Sequence, residues 1–189
     1  SLAIYRLHLA DSNRPGPWLD ELLTQAGQRR IEVLYHSREA LSRLSKNARE
    51  DQGVAVDVRS PGHPDLDDFL AAQQNADFQL LALDQVTNPQ NLGMIIRSAC
   101  AAGLSGLLLP RQGGTAIGPL VIKASAGTIF KATLIRCEGL IPALKHLRAL
   151  GVDVCCLGAG ARESLFDYRP AGAAVFVLGN ESTGGAPEV

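Results

Sequence analysis

Residues 84–99 read Asp84-Gln-Val-Thr-Asn-Pro-Gln-Asn91-Leu-Gly-Met-Ile-Ile-Arg97-Ser-Ala. An apolar run at 80–83 enters a polar, proline-containing loop, which opens into a helix carrying one arginine. Arg97 lies six residues after Asn91, about 9 Å along a helix axis. Helical side chains lean back toward the N-terminus. From a buried-looking position its guanidinium is therefore expected to reach the loop after the strand, where open α/β sheets bind ligands. A helix N-terminus with an arginine beside it suits a phosphate. Asn91 carries two readings: an N-cap that satisfies a free backbone N–H, or an amide that faces a ligand.

A second strand-to-loop junction stands at Val175-Phe-Val-Leu178-Gly179-Asn180-Glu181, followed by Ser-Thr-Gly-Gly185. It sets an amide and a carboxylate between glycines, which permit close backbone approach. A third strand end, Val154-Cys-Cys-Leu157-Gly158-Ala-Gly160, either lines the same pocket or is an ordinary turn. No Gly-x-Gly-x-x-Gly follows the first strand of a βαβ unit, which argues against a nicotinamide dinucleotide enzyme.

These junctions need a scaffold. Before residue 58 the pattern predicts a strand at 3–10, a helix at 17–26 with Trp18, Leu22 and Leu23 on one face, and a strand at 31–35. A helix at 38–44 capped by Ser37 and a strand ending at Asp57 follow. Ser60-Pro-Gly-His-Pro64 breaks regular structure, with a short helix expected at 66–73. From 78 onward β-loop-α units recur: strands at 78–83, 106–109, 132–135, 152–157 and 173–178, with helices at 91–102, 120–126 and 140–150. In the first helix Leu92, Ile95, Ile96 and Ala99 form one apolar stripe. Near-continuous apolar strands separated by helices predict an α/β domain with a parallel sheet covered on both faces. The expected organisation is a small α/β domain at 1–58, a linker at 59–77 and a larger domain at 78–189.

With 18 Lys+Arg against 19 Asp+Glu, net charge does not argue for or against a polyanionic partner; only its distribution can. Between Arg29 and Arg49 stand six basic residues (Arg29, Arg30, Arg38, Arg43, Lys46, Arg49) against Glu32 and Glu39. This is either a solvated face or a phosphate-tracking patch. Aromatics are few, so backbone and shape contacts are expected over base stacking. Cys100, Cys137, Cys155 and Cys156 lack metal-ligand spacing and are expected to be buried, reduced thiols of a cytoplasmic protein that holds no metal. No run approaches the roughly 18 apolar residues of a membrane span.

The pattern Asp84-x-x-x-Asn88-Pro89-x-Asn91-x-Gly93-x-x-x-Arg97-Ser98-Ala99, with Leu178-Gly179-Asn180-Glu181, resembles motifs one and two of the SpoU/TrmH ribose methyltransferases of the SPOUT superfamily. Lys123-Ala-Ser-Ala-Gly127 resembles the family as well, and Gln52-Gly53-Val54-Ala55 resembles the end of its ribosomal-protein-like substrate domain. The resemblance implies a trefoil-knotted α/β domain that transfers a methyl group from S-adenosylmethionine to a ribose 2′-hydroxyl of RNA, in a homodimer. It assigns Asn91, Arg97 and Glu181 to the active site. Leu157, Gly158, Leu178, Gly179 and Asn180 become cofactor walls, and Arg29, Arg30, Arg38, Arg43 and Lys46 become RNA contacts. The substrate domain favours ribosomal over transfer RNA. The alternative is a non-catalytic RNA-binding protein of the same fold.

Two departures from the family pattern stand in the chain. Ser182 and Gly185 occupy positions where glycine and a large aliphatic are usual. Motif three, an Ile-Pro-Met segment and a Ser-Leu-Asn-x-Ser helix start, does not occur within the 189 residues. The expectations are that the C-terminal knot elements lie outside these residues, that a helix preceding residue 1 is trimmed, and that the 189 residues form no complete cofactor site.

Overall fold

The computed structural model describes residues 3–45, 51–59, 62–73 and 77–180. Its internal contacts divide the chain into two compact units, 1–61 and 62–189.

The first unit runs β1 (Ala3–Ala10), α1 (Pro17–Gln28), β2 (Glu32–His36), α2 (Arg38–Ser45) and β3 (Val54–Arg59). The sheet order is β2-β1-β3, with β1 parallel to β2 and antiparallel to β3. Leu7 and Leu9 pack with Ala26, Leu19, Leu22 and Leu23, so α1 covers one face through the stripe that its period demands. Trp18 was expected in that stripe but is 48% exposed; it lies in the first turn, and Leu19 takes the inward place. Ser37 does cap α2, accepting from the Ala40 N–H at 3.3 Å. The turn into β3 depends on Gly53, whose φ of +79° favours glycine. A Cβ there would also collide with the Asn13 side chain. Asn13 Nδ2 and the Ala10 N–H both donate to the Gly53 carbonyl, at 2.8 and 2.9 Å.

The second unit runs α3 (Leu66–Gln73), β4 (Gln79–Leu83), α4 (Pro89–Ala101), β5 (Gly106–Pro110) and α5 (Pro119–Ala124). A 3-10 turn (Thr128–Phe130), β6 (Leu134–Cys137), α6 (Leu140–Ala149), β7 (Asp153–Leu157) and β8 (Ala174–Leu178) follow. The five strands form an all-parallel sheet in the order β6-β5-β4-β8-β7. Alternation along the strands divides two cores. Leu80, Ala82, Leu108, Ile135, Val175 and Val177 meet α3 and α6, and Leu83, Leu107, Leu109 and Leu134 meet α4 and α5. The sheet is thus an α/β layer with helices on both faces. Helix α3, which the sequence placed inside the linker, puts Leu66 and Phe69 into this core, with the Phe69 ring edge-on to Phe78 at 5.5 Å.

Most element boundaries shift by one or two residues from the sequence expectation, and two of these shifts have a visible cause. Strand β6 begins at Leu134 rather than Ala132, because the 3-10 turn runs on and the Thr128 carbonyl accepts from both Lys131 and Ala132. Helix α4 begins at Pro89, not Asn91. The N-cap is Asn88, whose Oδ1 accepts from Gln90 N at 2.8 Å and Asn91 N at 3.4 Å. Proline at N1 needs no N–H partner and holds the preceding residue extended, which makes Asn-Pro the stronger start signal. The N-cap reading of Asn91 is therefore incorrect; it sits in the first turn.

Candidate functional site

Strands β4 and β8 are neighbours, yet the chain leaves β4 toward β5 on one side and reaches β8 from β7 on the other. Such a break in strand order opens a crevice beyond the carboxyl ends. Leu83 is in register with Leu178, and Leu178 with Leu157, so three strand ends lie side by side. The third junction, which the sequence left open as site or turn, is thereby brought next to the second. The Asp84 N–H donates to the Leu178 carbonyl at 2.9 Å and extends the β4–β8 ladder into the loop.

That loop is braced from β8. Asn180 Nδ2 donates to the Gln85 carbonyl at 3.0 Å, and Gln85 holds a left-handed backbone, with φ of 54°. A non-glycine residue there is strained and persists only where its surroundings fix it. The asparagine of the second motif thus shapes the loop of the first, a role that spacing alone did not reveal. Thr115 N closes the other side by donating to the Val86 carbonyl at 3.2 Å.

Asn91, Met94, Ile95 and Ser98 of α4 line a groove of about 510 Å³ together with Leu157 and Leu178. Those helical positions recur at i, i+3, i+4 and i+7, the spacing of one face. An adjoining hollow of about 690 Å³ runs from Cys155 through Gly158 to Tyr168. A Cβ at Gly158 would meet no atom within 4 Å, so larger side chains there would project into open space. Among the predicted residues, the structure gathers Asn91, Leu157 and Leu178 on the groove, puts Gly158 in the adjoining hollow, and sets Gly179 and Asn180 at the end of β8.

Arg97 is not on the groove. It is exposed rather than buried, and six residues of helix turn it about 120° from Asn91 around the axis. Rise along the axis fixes how far a side chain reaches, and rotation about it fixes which face the side chain occupies. Of the RNA-contact candidates, Arg29, Arg30 and Arg43 are exposed. The Arg38 guanidinium is held at 2.8 Å by the buried Asp51 carboxylate. Glu181, Lys46, Arg49, Ser182 and Gly185 lie outside the described residues. Exposed aromatics do occur in the first unit: Tyr5 at 48%, Trp18 at 48% and Tyr35 at 60%.

The cysteines divide by burial. Burial and Glu138 push the Cys137 thiol up to about 11, so it is inert at neutral pH. Cys100 and Cys155 are half-buried, and Cys156 is exposed, against expectation, because alternation along β7 turns neighbouring side chains to opposite faces. Among the described residues no His, Cys, Asp and Glu group has metal-binding geometry, and no helix is long and apolar enough to cross a membrane.

The model of the SpoU rRNA Methylase family matches residues 79–189. An uncharacterized tRNA/rRNA methyltransferase of Mycobacterium ulcerans is 33% identical over 167 residues, covering 88% of this chain and 54% of that protein. One from Mycobacterium bovis is 31% identical over 179 residues, covering 94% and 55%. The chain thus spans about half the length of these curated relatives. Among solved structures, the SpoU methyltransferase AviRb of Streptomyces viridochromogenes in complex with AdoMet superposes with a TM-score of 0.79 at 22% identity, over 99% of this chain and 70% of that one. The AdoMet-bound rRNA methyltransferase of Sinorhizobium meliloti does so with 0.72 at 24%, over 98% and 67%. These structures share the fold, and the family model covers more than half of the sequence. The chain belongs to the SpoU rRNA methylase family.

Proposed function

We propose that this protein methylates a ribose 2′-hydroxyl of structured RNA with S-adenosylmethionine as donor, and that ribosomal RNA is a better substrate than transfer RNA. The observation that carries the reading is the meeting of the β4, β7 and β8 ends beside Asn91, where both sequence motifs converge on one groove. AviRb and the Sinorhizobium enzyme, which share the fold, are both AdoMet-bound in their structures. The residues present fit one side of a site for such a group, the rest of which is expected outside these residues. The groove is largely apolar with the polar groups of Asn91 and Ser98, and the adjoining hollow has open space at Gly158 that a larger side chain would fill. Leu157, Gly158, Leu178, Gly179 and Asn180 would hold the cofactor.

When bound, that cofactor supplies a methyl group already activated on a sulfonium. The work left to the protein is alignment, worth about 7–11 kcal/mol when reacting atoms are well oriented. Asn91 orients from the first turn of α4, and Asn180 keeps the motif-one loop in shape. Arg97 clamps the ribose hydroxyl or an adjacent phosphate, and Glu181 completes the active site. In this reading residues 78–189 belong to a trefoil-knotted domain, and residues 1–58 are a ribosomal-protein-like RNA-presenting domain with Arg29, Arg30, Arg38, Arg43 and Lys46 among its contacts. The working enzyme is a cytoplasmic homodimer.

The test is incubation of the intact protein with S-adenosylmethionine labelled in the methyl group and either ribosomal or transfer RNA, followed by digestion to nucleosides and mass spectrometry. Label in a 2′-O-methylnucleoside, stronger with ribosomal RNA, is expected. Label on a base would sink the ribose assignment, and RNA binding without any label would favour the non-catalytic alternative.

A further inference from the structure

The sequence Leu134-Ile-Arg-Cys137 puts a cation inside an apolar strand. Leu134 packs on the α4 side of the sheet, and Ile135 and Cys137 pack on the other. Alternation therefore turns Arg136 toward the α4 side. There it lines a narrow cleft with Val86 of the motif-one loop, Leu92 of α4, and Gly114 and Thr115 of the loop after β5.

Arg136 is half-buried. The carboxylates on that sheet edge are already engaged: Arg111 Nη2 holds Asp65 and Arg111 Nε holds Glu138, each at 2.7 Å. Among the described residues, Arg136 has no ion pair and no side-chain hydrogen bond. Burial and the Arg111 charge press its guanidinium below the ordinary value. Burial and Arg136 likewise hold the nearby His63 below its own ordinary value, which keeps that imidazole neutral at pH 7. A half-buried cation without a counter-ion is costly unless an anion completes it.

The size of the cleft says which anion. Its free volume is about 10 Å³, enough for about one water or one phosphate oxygen and too little for a base or a sugar. A guanidinium fork matches phosphate geometry, and the rest of a phosphodiester can lie outside the mouth. We propose that this cleft is a subsite for one backbone phosphate of the RNA, bound by Arg136 and walled by the motif-one loop. The proposal rests on the RNA-methyltransferase reading and adds a positioning contact to it.

The experiment uses a fluorescein-labelled RNA hairpin of about 20 nucleotides titrated with the chain across a KCl series. Arg136→Gln is expected to weaken binding about 3- to 10-fold at low salt, and to make the slope of log K against log salt shallower by about 0.7–0.9, the signature of one lost phosphate contact. Arg136→Lys keeps the charge and is expected to keep the slope. Should the Gln variant fold poorly, the unsubstituted chain answers by NMR. The Arg136 Nε–H resonance, assigned by its loss in Arg136→Lys, should shift with hairpin RNA and stay in place with KCl alone. An unchanged slope in a folded Gln variant, or an unmoved resonance on RNA binding, overturns the subsite and leaves the function standing. No RNA binding by the unsubstituted chain overturns both.

Discussion

Arg97 is the side chain on which the proposed chemistry turns. It is exposed on α4 and, among the described residues, makes no hydrogen bond or ion pair, so its guanidinium is available to an RNA ligand. Guanidinium is effectively never deprotonated in proteins, which rules it out as the base and leaves electrostatic positioning. Arg97→Ala is expected to lower turnover by about 10²-fold or more while cofactor affinity, read by calorimetry, changes less than about threefold. Arg97→Lys keeps the charge and loses the planar fork, and it should recover little of the loss. Near-normal turnover by the lysine variant would sink the clamp. Asn180 works differently, since its amide holds the Gln85 carbonyl. Its loss should relax a strained loop before it disturbs any bound group.

The element that positions these residues is α4, and its seating depends on Gly93. A Cβ built there would collide with the Ala124 Cβ and stand 2.8 Å from the Val121 carbonyl and 2.9 Å from Ser125 N. The glycine therefore lets α4 lie directly on the C-terminal half of α5. Ser125 is fully buried just beyond α5, donating its hydroxyl to the Ile122 carbonyl at 2.7 Å. Ala126 and Gly127 then turn through positive φ. Two family-like segments, the motif-one glycine and Lys123–Gly127, thus meet as one helix contact. Gly93→Ala is expected to destabilise the second unit by about 1–3 kcal/mol, seen as a lower midpoint in urea unfolding. An unchanged midpoint would show that the backbone contact yields at no cost. That Gly93 serves packing was invisible in the sequence, because the stripe of Leu92, Ile95, Ile96 and Ala99 already accounted for the helix's inward face.

At the scale of the whole molecule the two units separate in their contacts, and one buried carboxylate marks the first. Burial alone would raise Asp51. The Gly53 N–H, the Ser45 hydroxyl, the Arg38 guanidinium and the Ser42 hydroxyl together hold it below the ordinary value. The sign follows: a carboxyl lowered in the folded state contributes stability that is full above its unfolded value near about 4, and is lost as pH falls through the lowered native value. The chain has a single tryptophan, Trp18, on α1 of this unit, so its fluorescence reports the first unit without the second. Thermal unfolding followed by Trp18 should show Asp51→Asn less stable than the unsubstituted chain at pH 7. The gap should narrow as the pH falls through the lowered native value of Asp51. A gap constant with pH would remove the charged carboxylate as its cause.

By itself the sequence determined the alternation of strands and helices, the parallel sheet with helices on both faces, and the two junctions where polar groups collect. These follow from local periodicity and from the residues that start and stop elements. Tertiary structure alone decided that β8 enters beside β4, that Leu157 joins Leu178 and Asn91 on one groove, that Arg97 is exposed on α4 rather than among the residues lining it, and that Arg136 occupies a cleft under the motif-one loop. Each of these depends on which strands pair and how far a helix has rotated. Both are fixed by packing between residues distant in the chain, beyond the reach of any local pattern.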